Sequence, residues 1–195
     1  MINKGRPITI TQDSVASHCL ELYWKKGIHN VTYNEAIKYS RVSKGTVYNL
    51  FKSEDELQAK TLEFYEKKFL KDLAHVISNQ DDLLDFVELM FNFIRSKFCY
   101  FVVTNSNRYM LNDLTKAYTV KIENKFKKLI YNLIIRHVKK FNLVPQTIEI
   151  FSLAIYLRHN ITLANILKLN KADRKDLLII KNAMREKIEK SFTKL

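Results

Sequence analysis

Glycine and proline are scarce in this chain, 3 and 2 among 195 residues, which leaves little of the turn chemistry that a β-rich fold needs. The three glycines, Gly5, Gly27 and Gly45, stand alone. Neither G-x-G-x-x-G nor G-x-x-x-x-G-K-[ST] is therefore present, and nucleotide binding through a glycine-rich phosphate loop is excluded. Cysteine is equally rare: Cys19 and Cys99 lie in apolar helical context without a C-x-x-C, which fits reduced core thiols rather than a bridge or a zinc site. No 18 consecutive apolar residues run without a charge, and the stretch Met1 to Pro7 lacks the apolar core of a signal peptide, so a cytoplasmic protein with no membrane association is expected. The five histidines form no H-E-x-x-H, and the acidic pairs fall at helix starts, where capping accounts for them. No catalytic residue, metal or cofactor is assigned, and an enzyme is not expected.

What is present is helical periodicity and positive charge. With 47% hydrophobic residues the chain has the material for a sizeable core. Residues 12 to 26 place Val15, Cys19, Leu22 and Tyr23 on one face, with Gly27 as the stop. Thr32-x-x-Glu35 has capping-box spacing and opens a short helix over 32–39; Ser40-Arg41-Val42 makes a tight connection to another over 43–50. Ser53-x-x-Glu56 repeats the spacing and opens a helix predicted to run to Ile77. After polar breaks, further helices are predicted over 113–141, over 145–168 with Pro145 in the first turn, and over 172–192, and no strand pattern is found. The formal charge of +13 favours an anionic partner.

Two short helices joined by a tight turn and preceded by a longer one are the layout of a helix-turn-helix unit. On the third helix, Val47, Leu50 and Phe51 cluster on one side, while Gly45 and Asn49 centre the other with Thr46 and Tyr48 beside them. Gly45 has no side chain to hold the helix off a phosphate backbone, Thr46 and Tyr48 can donate to phosphate oxygens, and Lys44 or Asn49 can reach base edges in a major groove. An ordinary solvated helix face would show the same polarity, so on this chemistry both readings stand.

Residues 12–58, above all Gly27, Val31-Thr32, the run Val42-Ser43-Lys44-Gly45-Thr46-Val47-Tyr48-Asn49-Leu50-Phe51, and Leu57, resemble the amino-terminal domain of TetR/AcrR-type transcriptional regulators. The resemblance implies an all-α fold: a three-helix helix-turn-helix DNA-binding domain with its arm, residues 1–52, followed by a larger helical ligand-binding and dimerisation bundle, residues 53–195. It implies that Thr46 and Tyr48 meet the DNA backbone, and that Thr32, Tyr33, Ser43, Lys44, Gly45 and Asn49 lie at or near the contact surface. Arg6, in the basic arm Lys4-Gly5-Arg6-Pro7, is a candidate to enter a narrow minor groove, and the arm reads equally as a disordered tail. The chain departs from the family pattern at three places: Ala36-Ile37 reverses the usual pair, Arg41 replaces the usual turn glycine, and Glu54 stands where a phosphate-neighbouring lysine is usual, followed by Asp55 and Glu56. Three acids favour the helix dipole but repel phosphates, so Lys52, Lys38 or Arg41 would have to supply the lost contact.

Residues 1–60 carry a net charge of +3, so most of the excess lies elsewhere, notably over 116–140, where eight basic residues meet only Glu123. That stretch reads as a solvated face, or as attraction to an acidic ligand or a second nucleic-acid contact. The resemblance implies a pocket for a small-molecule effector of unknown identity. Met90, Phe93, Phe101, Tyr109, Met110 and Phe126 are candidates to line it, though such residues also read as plain core, and Arg158 with His159 is a candidate to orient a polar ligand group or a satisfied core or dimer-interface pair. The last two helices are apolar on more than one side, as in a homodimer interface, and a twofold dimer on double-stranded DNA requires a roughly palindromic operator. A reading of another class is a helical ligand-binding or protein-interaction dimer whose head no longer binds DNA specifically, with Glu54 its best support.

Overall fold

The computed structural model describes residues 10–93, 110–145, 147–169 and 171–194. Cap chemistry decides where the first helices begin. Helix α1 (Gln12–Lys26) starts at Thr11, whose Oγ1 accepts from the Ser14 N–H at 3.2 Å while Ser14 Oγ accepts from the Thr11 N–H at 3.0 Å. It stops at Gly27, which takes φ 81 and donates its N–H to the Tyr23 carbonyl, a conformation that favours glycine. A 3₁₀ turn (Ile28–Asn30) leads to α2 (Tyr33–Tyr39), and α3 (Lys44–Leu50) follows the turn. Thr32, Ser43 and Ser53 each accept the N–H three residues on. Of the glutamates in the two predicted boxes, Glu35 pairs with Lys26 of α1, and that pair together with the Thr32 backbone N–H holds its carboxyl below the usual range. Glu56 Oε2 accepts instead from the Lys52 N–H at 2.8 Å.

Helix α4 (Glu54–Tyr65) does not continue unbroken to Ile77. A π-helical turn (Glu66–Leu70) separates it from α5 (Lys71–Ser78), and Leu73 and Ile77 then return to the core. Helix α6 (Leu83–Phe93) follows, and α7 (Asp113–Phe141) is the long axis of the bundle, about 43 Å at 1.5 Å per residue. Its Ile122, Phe126, Ile130, Leu133 and Ile134 face inward, at the spacing of a core strip. Helices α8 (Thr147–Leu169) and α9 (Arg174–Lys190) complete the bundle. Pro145 thus precedes α8 rather than occupying its first turn.

One small pair of strands, β1 (Leu143–Val144) against β2 (Thr193–Lys194), joins the end of α7 to the end of α9. Two-residue strands are too short to show any alternation, so the sequence carried no sign of them. Helix α8 is apolar enough over Glu149–Lys168 to match a membrane span in length and composition. Its Leu153, Ala154, Leu157, Ile161 and Ala164 are nonetheless buried in the bundle, where α8 packs on α7 and α9.

The core is one continuous cluster. Val15, Cys19 and Tyr23 of α1 pack with Ala36 and Ile37 of α2, Val47 of α3 and Leu57 of α4. Because α4 also packs on α7, the small amino-terminal unit is tied to the bundle through that helix. Cys19 is buried and free, and burial pushes its thiol up to about 12, so it stays protonated and inert. Cys99 lies outside the described residues.

Candidate nucleic-acid interface

Helix α3 has a buried and an open side. Val47 is fully buried and Leu50 half-buried; Lys44, Gly45, Tyr48 and Asn49 are exposed. Tyr48 is 43% exposed, although its ring meets Tyr33 edge-on at a centroid distance of 5.3 Å and lies under the Lys44 ammonium at 5.6 Å. These contacts fix the ring's direction and leave its outer side in solvent. Gly45 is the informative position. A Cβ built there would meet nothing within 4 Å, so packing inside the protein gives no reason for glycine in a helix, where it costs roughly 0.5–1 kcal/mol relative to alanine.

The rest of the unit holds this helix in place. Ser43 Oγ accepts from the Thr46 N–H at 3.2 Å and shares a hydrogen bond with Thr46 Oγ1 at 2.8 Å, so the Thr46 hydroxyl is already engaged in the cap. At the other end the Gln12 side chain of α1 donates to the Leu50 carbonyl at 2.7 Å. Tyr33 donates its hydroxyl to the Phe51 carbonyl at 3.1 Å; burial pushes that phenol up, and the hydroxyl turns inward. Thr32 is exposed as the cap of α2, and Lys52 is exposed just beyond α3. Arg41 is exposed too, at φ 58, in the left-handed conformation that a glycine would adopt freely. Buried Ser40 secures this turn by donating to the Ile37 carbonyl and accepting from the Val42 N–H. Arg6 lies outside the described residues.

Glu54 does not project from the start of α4 as a bare acid. It is half-buried, which pushes its carboxyl up, while the Tyr33 backbone N–H and the Gln58 side chain favour its charged form. Gln58 Nε2 donates to Glu54 at 3.1 Å, and Asn112 Nδ2, at the cap of α7, donates to Gln58 Oε1 at 3.0 Å. A chain of hydrogen bonds therefore runs from the start of α7, through buried Gln58, to the foot of α2. Sequence reasoning missed Gln58 and Asn112, since residues 54 positions apart give no local signal.

The candidate effector residues that the structure describes have different surroundings. Met90 and Phe126 are packed in the core, Met110 is 53% exposed, and Phe101, Tyr109 and the Phe93 side chain lie outside the described residues. Arg158 is held by Glu123 of α7 at 3.1 Å and by the exposed His159 at 2.6 Å. Its charge is thus matched, while its buried Nε has no hydrogen-bond partner among the described residues. None of the described candidates lines the groove between the π turn and α7, about 580 Å³, which is bordered by Glu66, Lys67, Lys71, Ala74, Lys125, Lys128, Leu129 and Asn132. Among the described residues no group of three or more His, Cys, Asp or Glu could hold a metal ion.

Compared with solved structures, the chain superimposes nearly end to end on several regulators. A TetR-family transcriptional regulator from Cytophaga hutchinsonii matches at a TM-score of 0.79 and 11% identity, over 94% of this chain and 96% of that one. Reduced NemR from E. coli matches at a TM-score of 0.77 and 16% identity, over 95% and 98%. The fold is that of the TetR-family transcriptional regulators. The TetR-family regulator CifR, as a cysteine mutant complexed with a 26-base-pair double-strand operator, matches at a TM-score of 0.74 and 15% identity, over 92% and 98%. No sequence-family model and no curated protein matches the chain. The TetR fold has an amino-terminal helix-turn-helix domain followed by a helical bundle.

Proposed function

We propose that this protein is a ligand-responsive transcriptional regulator, a repressor, that binds a palindromic operator as a homodimer. The division of labour is a reading head over residues 1–52 and an effector and dimerisation bundle over 53–195. The observation that carries the reading is the open face of α3: Lys44, Gly45, Tyr48 and Asn49 are exposed side by side on a helix fixed from behind, with empty space at Gly45. Lys44 and Asn49 supply base-edge chemistry, Tyr48 and Thr32 phosphate chemistry, and Arg41, Lys52 and Arg6 positive charge at the margins. Ser43 and Thr46 set the helix start against the backbone, and Tyr33 is assigned to bracing Tyr48.

A dimer accounts for the large apolar side chains that α8 and α9 leave exposed, Phe151, Leu163, Leu178 and Ile179. Twofold symmetry would set two α3 helices one DNA turn apart, about 34–36 Å, or a multiple of it. The protein acts in the cytoplasm, without a membrane or a catalytic step. Effector binding in the bundle is coupled to DNA through α4, and the Asn112–Gln58–Glu54 chain supports that route. The coupling is reciprocal, so operator DNA weakens effector binding by the factor with which the effector weakens DNA binding.

Replacing Lys44 and Tyr48 together by alanine tests the reading. Specific duplex binding falls by roughly 100-fold or more while circular dichroism and the oligomeric state stay those of the wild type. Unchanged binding would instead favour a ligand-binding or protein-interaction dimer with a degenerate head. The acids at Glu54, Asp55 and Glu56 favour that second reading, but the half-buried Glu54 contributes less repulsion than a bare acid there would.

A further inference from the structure

We infer that the groove between the π turn and α7 is a binding site for a small amphiphilic anion, one with a carboxylate or phosphate on an apolar body. The inference rests on the regulator reading for its purpose, and on the groove itself for its chemistry. The lining holds four lysines, Lys67, Lys71, Lys125 and Lys128, against one carboxylate, Glu66. Lys67 is paired with Glu63 at 2.7 Å. Glu66, only 8% exposed, pairs with Lys125 through Oε1, while its Oε2 has no hydrogen bond and stands 3.7 Å from Lys121 Nζ. Among the described residues neither Lys71 nor Lys128 has an acidic partner. Two lysines from different helices that line one groove, neither with an acidic partner of its own, are a place for an anion.

The floor supplies the rest of the specificity. Ala74 and Leu129 are apolar, and Asn132 adds one neutral donor and acceptor. A volume of about 580 Å³ falls in the range of small-ligand sites. Position gives the site its consequence. Lys67 belongs to the π turn, Lys71 begins α5, and Lys125 and Lys128 lie on α7, so an anion held by all three segments spans the one interruption between α4 and α5. Such turns are common at functional sites, and this one joins the helix that carries the reading head to the bundle. The anion competes with Glu66 for Lys125. Freed from that pair, the π turn can settle in a second arrangement and shift α4.

The test uses 1-naphthyl phosphate as the anionic probe and 1-naphthol as its neutral counterpart, titrated calorimetrically into the full chain at about 0.15 M salt. One phosphate binds per chain, at least about tenfold more tightly than the naphthol. The Lys71→Ala/Lys128→Ala variant weakens it at least about tenfold. Lys139→Ala/Lys140→Ala, which removes the same charge from the far end of α7, leaves it within about twofold. Glu66→Gln, by freeing Lys125, tightens the phosphate about threefold or more. Equal affinity for phosphate and naphthol, or equal loss in both lysine variants, would overturn the site. So would displacement of the probe by random duplex DNA, since the face would then be a nucleic-acid contact. Duplex binding by the wild type is measured alongside: specific DNA binding without a phosphate site sinks this inference alone, and a phosphate site without specific DNA binding sinks the regulator reading alone.

Discussion

The reading head and the bundle are built on opposite electrostatic plans. In the head, helix starts are tied by Thr11, Thr32, Ser43 and Ser53, and the ends of α3 are held by Ser43 and Gln12, so its polar groups are committed to local geometry. What stays open is a short face of α3. In the bundle, the π turn brings the buried Glu66 carboxylate against lysines of α7 while Lys71 and Lys128 stay without acidic partners among the described residues. On the proposed reading, the first plan would present a fixed surface to DNA and the second would leave charges whose pairing a ligand changes. The difference teaches that shape recognition and switching need different local economies of hydrogen bonds.

The sharpest way to break the comparison is at Gly45. Gly45→Leu fills space that is empty in the protein and that the account reserves for DNA, so operator binding falls about 100-fold, roughly 2.7 kcal/mol. The same change removes a helical glycine, so the fold gains roughly 0.5–1 kcal/mol, seen as a higher Tm. Binding and stability moving together would show that Gly45 serves packing instead.

A second prediction concerns the bundle. His137 is buried, accepts the Leu83 N–H on Nδ1 at 3.2 Å, and is held below the ordinary histidine range by burial, against the opposing pull of Asp82. The folded state therefore takes up this proton at lower pH than the unfolded chain. Stability is complete above about pH 6.5 and declines as pH falls through the folded value, by at most about 1.4 kcal/mol per pH unit. In thermal unfolding from pH 7.5 to 5, His137→Gln flattens that part of the slope; an unchanged slope would remove His137 as its source.

The smallest effect lies in the turn. Arg41 holds a left-handed backbone with a Cβ, at φ 58, so Arg41→Gly relieves strain and raises stability by roughly 0.5 kcal/mol or less after the greater freedom of an unfolded glycine is set against it. Any fall in operator affinity in that variant measures the phosphate contact of the arginine. A loss of stability would mean that the side chain, not the backbone, governs the turn.

Much of the head was legible in the sequence because its determinants are local. The run from Ser43 to Phe51 lies in one stretch, cap residues announce helix starts, and α7 falls at the predicted 113–141. The departure at Arg41 was visible as a missing glycine, while its left-handed backbone came only with the structure. The π turn was not visible, since the apolar spacing on its two sides also fits an unbroken α-helix. Nor was the inward turn of Glu54, which depends on where the Tyr33 N–H and Gln58 come to lie. The groove was missed for a related reason: Glu66 and Lys125 are 59 positions apart, and the lysines of α7 looked like one solvated face until α5 and the π turn were packed against them. Aromatic density drew attention to Met110, which proves to be exposed.

The most direct test of the central claim is selection of duplexes from a random pool by the purified protein, followed by affinity of the selected sequence and of scrambled DNA over a range of salt. The account predicts a palindromic sequence bound at least ~10³ more tightly than scrambled DNA at physiological salt, with half-sites one helical turn or a multiple apart. No enriched sequence, with binding that only fades as salt rises, would contradict it and leave the +13 charge as the whole of the attraction.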